Sequence, residues 1–177
     1  GPILGGTSAK SAGVLWVPNN FVLKARGVDD QRDDCVRFMA RFSYPERFNP
    51  SLPDLGIGAR ELAMLEACYD NCSPAIDKLR EVGALAVAEW RMFALDRPAT
   101  DYLDHVPENK VPAGRALGPL KADGKTVGFG VDLMVHLNGA LKKRNIPILT
   151  NHRVVRVVLS DAGRVIVLGV DGMDPGL

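Results

Sequence analysis

The sequence is short of the features that most readily betray a class. Its 177 residues hold no run of about eighteen apolar residues, the length a membrane-spanning helix needs. Net charge is only +1, and no RRM, KH or zinc-finger pattern appears, so nothing calls for a nucleic-acid partner. Cysteine is scarce: Cys35, Cys68 and Cys72 are an odd set without framework spacing. They are expected as free thiols in a reducing, cytoplasmic setting, with Cys68 and Cys72 buried one helical turn apart. Histidine is scarcer still in useful company. His105 and His152 lack an H-x-E or C-x-x-C partner, so no metal site is expected, and His136 reads as a helix residue on a polar face or satisfied in the core. No basic then apolar leader opens the residues, so no signal peptide is expected. Gly1-Pro2 is equally compatible with a native start and with a cleaved tag.

What remains is an ordinary globular balance, 46% hydrophobic and 24% charged, in a chain long enough for one real core. Segments 4–13 pack glycines, hydroxyls and a lysine into a loop, followed by the apolar run Val14 to Val17 and then Pro18. Gly27-Val28-Asp29-Asp30 reads as a helix start, and Cys35, Val36, Met39 and Phe42 recur at helical spacing. Ser43 to Gly58, with three prolines and two glycines, reads as loop. A helix is predicted from Ala59 to about Asn71, and a second from Ser73-Pro74, where serine suits the N-cap and proline the first turn. Its stripe is Ile76, Leu79 and Val82, with Gly83 as cap. Trp90 to Phe93 suggests a short strand. Arg97 to Lys125, with four prolines and three glycines, is expected to be irregular, and it carries a polar group: Asp101, Tyr102, Asp104, His105, Lys110 and Arg115. From Gly130 the stripe Leu133, Met134, Leu137, Leu141 marks an amphipathic helix whose last turn holds Lys142, Lys143 and Arg144. Ile146 to Leu149 and Val154 to Leu159 read as strands. Asp161-Ala162-Gly163 turns the chain into a hairpin with Val165 to Val170. The order implies an α/β protein, with an α+β appearance over this length, rather than a bundle.

Gly5-Gly6-Thr7-Ser8-Ala9-Lys10-Ser11 has the makings of an anion cradle, since glycines let backbone N–H groups converge and hydroxyls add donors. It is neither a Walker A loop nor G-x-G-x-x-G. On its chemistry alone it is a ligand loop or a plain structural turn. Asp33, Asp34, Glu61 and Glu66 read as solvated helix faces. Ser8 and Ser11 lack the elbow and base of a nucleophile.

The stretch Gly5-Gly6-Thr7-Ser8-Ala9-x-Ser11-x-Gly13-Val14-Leu15-Trp16-x-Pro18-x-Asn20 resembles the second flavin-contacting segment of the fumarate reductase/succinate dehydrogenase flavoprotein and 3-ketosteroid dehydrogenase family. The Thr-Ser-Ala and Trp-x-Pro-x-Asn wording is closer to the ketosteroid branch. Weaker similarity continues through Gly27 to Asp30, Asp101-Tyr102 with Gly114-Arg115-Ala116-Leu117, and Asp132 to Val157. The resemblance implies a part of a Rossmann-like FAD-binding domain with a helical insertion and a C-terminal β-hairpin. Residues 1–25 would be the flavin-contacting segment, 26–128 the helical and loop insertion, and 129–177 the helix, strand and hairpin. Gly5, Gly6, Thr7, Ser8, Ser11 and Gly13 match positions that line the flavin and its pyrophosphate. Val154 matches one whose backbone meets the adenine. Tyr102 falls near a tyrosine that assists catalysis, although as a residue it also reads as a surface-loop tyrosine. Ala12-Gly13 stands where the family usually has two glycines, and the hairpin after Gly163 departs from the usual pattern.

The resemblance further implies FAD as cofactor and a steroid-like or dicarboxylic-acid substrate. It implies that the first βαβ unit, the substrate domain and the last flavin segment lie in missing N- and C-terminal parts of the same protein. On that reading the 177 residues alone are inactive. Two other classes stay open: a non-enzymatic helical interaction module, and a small enzyme built on the Tyr102–Arg115 loop.

Overall fold

A computed structural model describes residues 4–92 and 95–172, the last seven of these as backbone only. Helix and sheet are mixed. The central sheet has three short strands, β1 (Leu15–Trp16), β2 (Val87–Glu89) and β5 (Ala116–Pro119), in the order β1-β5-β2. The middle strand is apolar and buried. Leu117 faces Leu15 on one side and Glu89 on the other. β3 (Arg91–Met92) and β4 (Arg97–Pro98) form a small ribbon beside it. The expected strand at Trp90 is therefore interrupted there: Trp90 N–H bonds Ala116 O at 2.9 Å while its carbonyl accepts from Ala99, also at 2.9 Å. Phe93 lies outside the described residues. Every strand pair among the described residues is antiparallel, so the parallel sheet of a Rossmann unit is not seen in them.

Two helices pack beside this sheet. α3 (Arg32–Ser43) lies on α4 (Ala59–Glu81), and a shorter helix, α2 (Phe21–Ala25), precedes them. Asn20 caps α2 by accepting from the amides of Val22 and Leu23, a cap the sequence reading passed over. α3 begins two residues beyond the predicted Asp29-Asp30, because Asp30 is committed elsewhere. Asp33 and Asp34 supply the first-turn acids instead.

The predicted break at Ser73-Pro74 does not occur, and α4 runs through it for 23 residues. Ser73 spends its hydroxyl on Asn19 O, 3.0 Å away, rather than on a cap. Apolar contacts hold the helix on both sides of the proline. Its first half joins a core of Cys35, Val36, Met39, Ala40, Leu55 and Ile57. Its second half joins another of Val17, Ile76, Leu85, Val87 and Leu117. The 44–58 segment is loop as expected, and it tucks Leu55 and Ile57 under α3.

The Gly-rich segment, expected as loop, contains one helical turn, α1 (Gly6–Lys10). It packs on α5 (Gly130–Lys143), the amphipathic helix predicted from Gly130. No strand forms at Ile146–Leu149. Ile146 N–H closes the end of α5 on Leu141 O at 3.1 Å, and Pro147 offers no ladder donor. The predicted hairpin is present as β6 (His152–Leu159) and β7 (Val165–Gly172), two residues longer at each outer end and bulged at two points. Its turn closes with Gly163 at φ 72°, where glycine fits.

Candidate functional site

The Gly-rich segment is fixed by close backbone packing. Gly5 sits at φ 112°, and a Cβ there would come within 2.9 Å of Met134 Cγ. Gly13 and Gly130 touch backbone to backbone: a Cβ on Gly13 would lie 2.6 Å from Gly130 N, and one on Gly130 would lie 1.9 Å from Ser8 O. Gly130 N–H bonds Ser11 O at 3.0 Å. Ser11 is occupied internally, since its hydroxyl donates to Ser8 O at 2.8 Å and accepts from Gly13 N–H at 3.0 Å. Thr7 and Ser8 are exposed. The first-turn amides of a helix have no partner within it. Among the predicted flavin contacts, then, Gly5, Gly13 and Ser11 build the turn, while Gly6, Thr7 and Ser8 present donors outward. That donor set fits an anionic or hydrogen-bonding ligand such as FAD. Val154 stands apart on the separate two-stranded sheet, exposed.

Beside β1 a cavity of about 610 Å³ opens. Its wall is chiefly aromatic and aliphatic: Val14, Trp16, Phe38, Met39, Phe42, Trp90, Ala99 and Ala116, with Thr100, Asp101 and Tyr102 as the polar members. Four rings run in succession along it. Trp16–Phe38, Phe38–Phe42 and Phe42–Tyr102 each have centroids 6.3 Å apart, the last pair stacked at 21°. Tyr102 is 83% exposed, so its phenol reaches solvent at the rim while its ring is held by Phe42.

Beneath the wall lies the element that sequence reasoning missed. Arg115, with 0% exposure, sends a two-pronged pair of hydrogen bonds to Asp30 at 2.8 and 2.7 Å and a third to Asp101 at 2.6 Å. It also donates to Asn109 Oδ1 at 2.8 Å. The guanidinium lies 5.3 Å from the ring centroids of both Trp16 and Phe38. Burial works against its charge, but the hydrogen bonds and charge of Asp30 outweigh that and raise its pKa. Asp101 in turn accepts from Trp16 Nε1 at 2.8 Å, and Asp30 from Asn19 N–H at 2.9 Å. One cation thus ties three distant segments together and sets the tryptophan that walls the cavity. The signal was there in sequence: Asp30, Asp101 and Arg115 had each been noticed, but as a helix start and a loop cluster.

The rest of that loop cluster does not converge. His105 Nδ1 lies 3.6 Å from Asp104, both well exposed, and Lys110 is on the surface. Asp33 and Asp34 stand in the first turn of α3, and His136 bonds Leu120 O at 2.7 Å from a half-buried position. Cys68 and Cys72 are half-buried rather than buried. No helix among the described residues is long and apolar enough to cross a membrane.

The fold has a solved counterpart. It is similar to the crystal structure of 3-ketosteroid delta1-dehydrogenase from Sterolibacterium denitrificans in complex with 1,4-androstadiene-3,17-dione, with a TM-score of 0.61 and 18% identity, covering 95% of this chain and 38% of that one. The sequence then points to a particular relative. Over 118 residues, 67% of this chain, it is 28% identical to the 3-oxosteroid 1-dehydrogenase of Comamonas testosteroni, of which the match spans 17%. No family model matches the chain. Its relatives by sequence and by fold are thus 3-ketosteroid 1-dehydrogenases, and it spans well under half of their length.

Proposed function

We propose that these residues are part of an FAD-dependent oxidoreductase acting on a steroid-like ketone. In this reading they supply a flavin-facing turn and one wall of the substrate cleft. The observation that carries the reading is the aromatic cavity with Tyr102 at its rim, one strand away from the Gly6-Thr7-Ser8 turn. A flat polycyclic hydrocarbon suits a cleft lined by aromatic rings and aliphatic side chains. Residues 1–25 would face the cofactor, with the amides and hydroxyls of Gly6, Thr7 and Ser8 as donors and Gly5, Ser11 and Gly13 as the frame. Val154 would offer its backbone to the adenine end.

When bound, FAD supplies the hydride acceptor. The work of this chain's own residues is positional. Trp16, Phe42 and Trp90 would hold the hydrocarbon and exclude water. The Tyr102 phenol would donate to the ligand carbonyl, polarising it so that the neighbouring carbon loses its proton more easily. The remaining catalytic groups would come from other parts of the protein, so these 177 residues alone would not turn substrate over.

Both tryptophans of the sequence line the cavity, which gives a direct test. Titration with a 3-ketosteroid should change the intrinsic fluorescence saturably. Tyr102→Phe should weaken that ligand by about tenfold, about 1.4 kcal/mol, and leave a steroid without the ketone unaffected. A fluorescence signal indifferent to steroid, or a Tyr102→Phe effect equal for both ligands, would count against the reading.

A further inference from the structure

Outside this site, α4 carries a second arrangement with chemistry of its own. Cys68 and Cys72 lie one turn apart with their sulfurs 3.4 Å from each other. Cys68 packs against the first core and Cys72 against the second, so the pair sits on the seam between them. Both are half-buried and therefore reachable. Two residues on, Pro74 withholds the amide that would bond Asp70 O, so the helix backbone is less constrained just beyond the pair.

We propose that Cys68 and Cys72 form a two-thiol site for a trivalent arsenical. Three alternatives fit the geometry less well. A disulfide wants Cβ atoms about 3.5–4.5 Å apart, while residues four apart on a helix hold them about 5–6 Å apart. Zinc wants four ligands, and the described residues contain no group of three or more His, Cys, Asp or Glu placed to hold an ion. A linear two-coordinate ion would set the sulfurs about 4.6 Å apart, twice a metal–sulfur bond of about 2.3 Å, against the 3.4 Å here. A bent arsenic centre needs only two sulfurs close together.

The exchange balances without an oxidant. An organoarsonous acid, R–As(OH)2, reacts with two thiols to give R–As(SR)2 and two waters. Two As–O and two S–H bonds break, while two As–S and two O–H bonds form. Arsenic stays trivalent and no net proton is released. Neutral thiols are therefore suitable reactants, and burial together with the Cys68 contact pushes the Cys72 thiol up to about 11. The product staples one turn of α4 across the seam of the two cores.

The test is titration of the reduced protein with phenylarsonous acid, read by native mass spectrometry. One arsenical per chain is expected, removable with ethanedithiol, together with a rise in thermal midpoint that grows with ligand concentration. Trypsin, cutting after Arg60 and Lys78, separates the pair from Cys35, so the added mass should appear on peptide 61–78. Cys68→Ser and Cys72→Ser should each weaken binding at least tenfold. No uptake by the wild type, added mass on the Cys35 peptide, or a single variant binding as tightly as wild type would overturn the assignment.

Discussion

Replacing Arg115 by methionine should damage this protein more than any surface charge change, and the cost can be bounded. The variant keeps much of the side-chain volume and removes the cation. It leaves Asp30 and Asp101, 1% and 4% exposed at their side chains, without their common partner. Each keeps one other donor, Asn19 N–H for Asp30 and Trp16 Nε1 for Asp101. Breaking a buried pair from one side costs about 3–5 kcal/mol, a large share of the roughly 5–15 kcal/mol that holds a domain folded. With a urea m-value of about 1–3 kcal/mol per molar, the midpoint should fall by about 1 M or more. Far-UV circular dichroism against urea is the assay. Asp101→Asn should cost less, since Arg115 keeps its two-pronged pair with Asp30, although the single amide oxygen can serve only one of the two donors, Trp16 Nε1 and Arg115 Nη1, that Asp101 takes on separate oxygens. A loss of under about 1 kcal/mol for Arg115→Met, on the scale of an exposed pair, would refute the claim that this cation ties the segments together.

Three other outcomes follow from single contacts. Gly130→Ala places a methyl 1.9 Å from Ser8 O and should cost about 1–3 kcal/mol, whereas Gly139→Ala, on the same helix with open space around it, should gain roughly 0.5–1 kcal/mol; paired urea curves decide it. Pro74→Ala, at an exposed position inside α4, should stabilise by about 2–2.5 kcal/mol, the interior cost of about 3 kcal/mol less the roughly 0.4–1 kcal/mol of entropy proline removes from the unfolded chain, visible as a higher thermal midpoint. Burial pushes the Cys35 thiol up to about 12, so the neutral form is favoured in the folded state; that contribution is complete below the ordinary thiol range and is lost as pH climbs from about 9 towards 12. Cys35→Ala should therefore show a flatter fall of stability than wild type over that alkaline window.

Periodicity served well where one element meets one core. The stripe from Leu133 to Leu141 and the valine-rich runs on either side of Asp161-Ala162-Gly163 gave α5 and β6–β7, because the helix packs one face and the two strands pair with each other across their own turn. It failed where a residue's partner lies far along the chain. Ser73-Pro74 carries every local mark of a helix start, yet contacts made on both sides of it, with Val36 and Met39 before and Val87 and Leu117 after, hold one helix together. The same non-local logic turned Asp30 from a first-turn acid into half of a buried ion pair with a residue 85 positions away.

The candidate site divides along the same line. The Gly5–Gly13 turn was legible because close approach has a local signature: glycine is required wherever a neighbouring backbone fills the place of Cβ. What the motif did not reveal is the neighbour, and here it is Gly130, so two glycines far apart in sequence make one contact. The cavity left no local mark at all. Its rings come from positions 16, 38, 42, 90 and 102, on four different segments, and each alone reads as ordinary core or loop. Arg115 connects the two kinds of information. Through Asp101 it holds Trp16, and Trp16 stands three residues beyond Gly13, so the same short strand follows the glycine-rich turn and walls the cavity. On the proposed reading, a buried arginine that lines neither the cavity nor the turn holds, through Asp101, the tryptophan that stands between them in sequence.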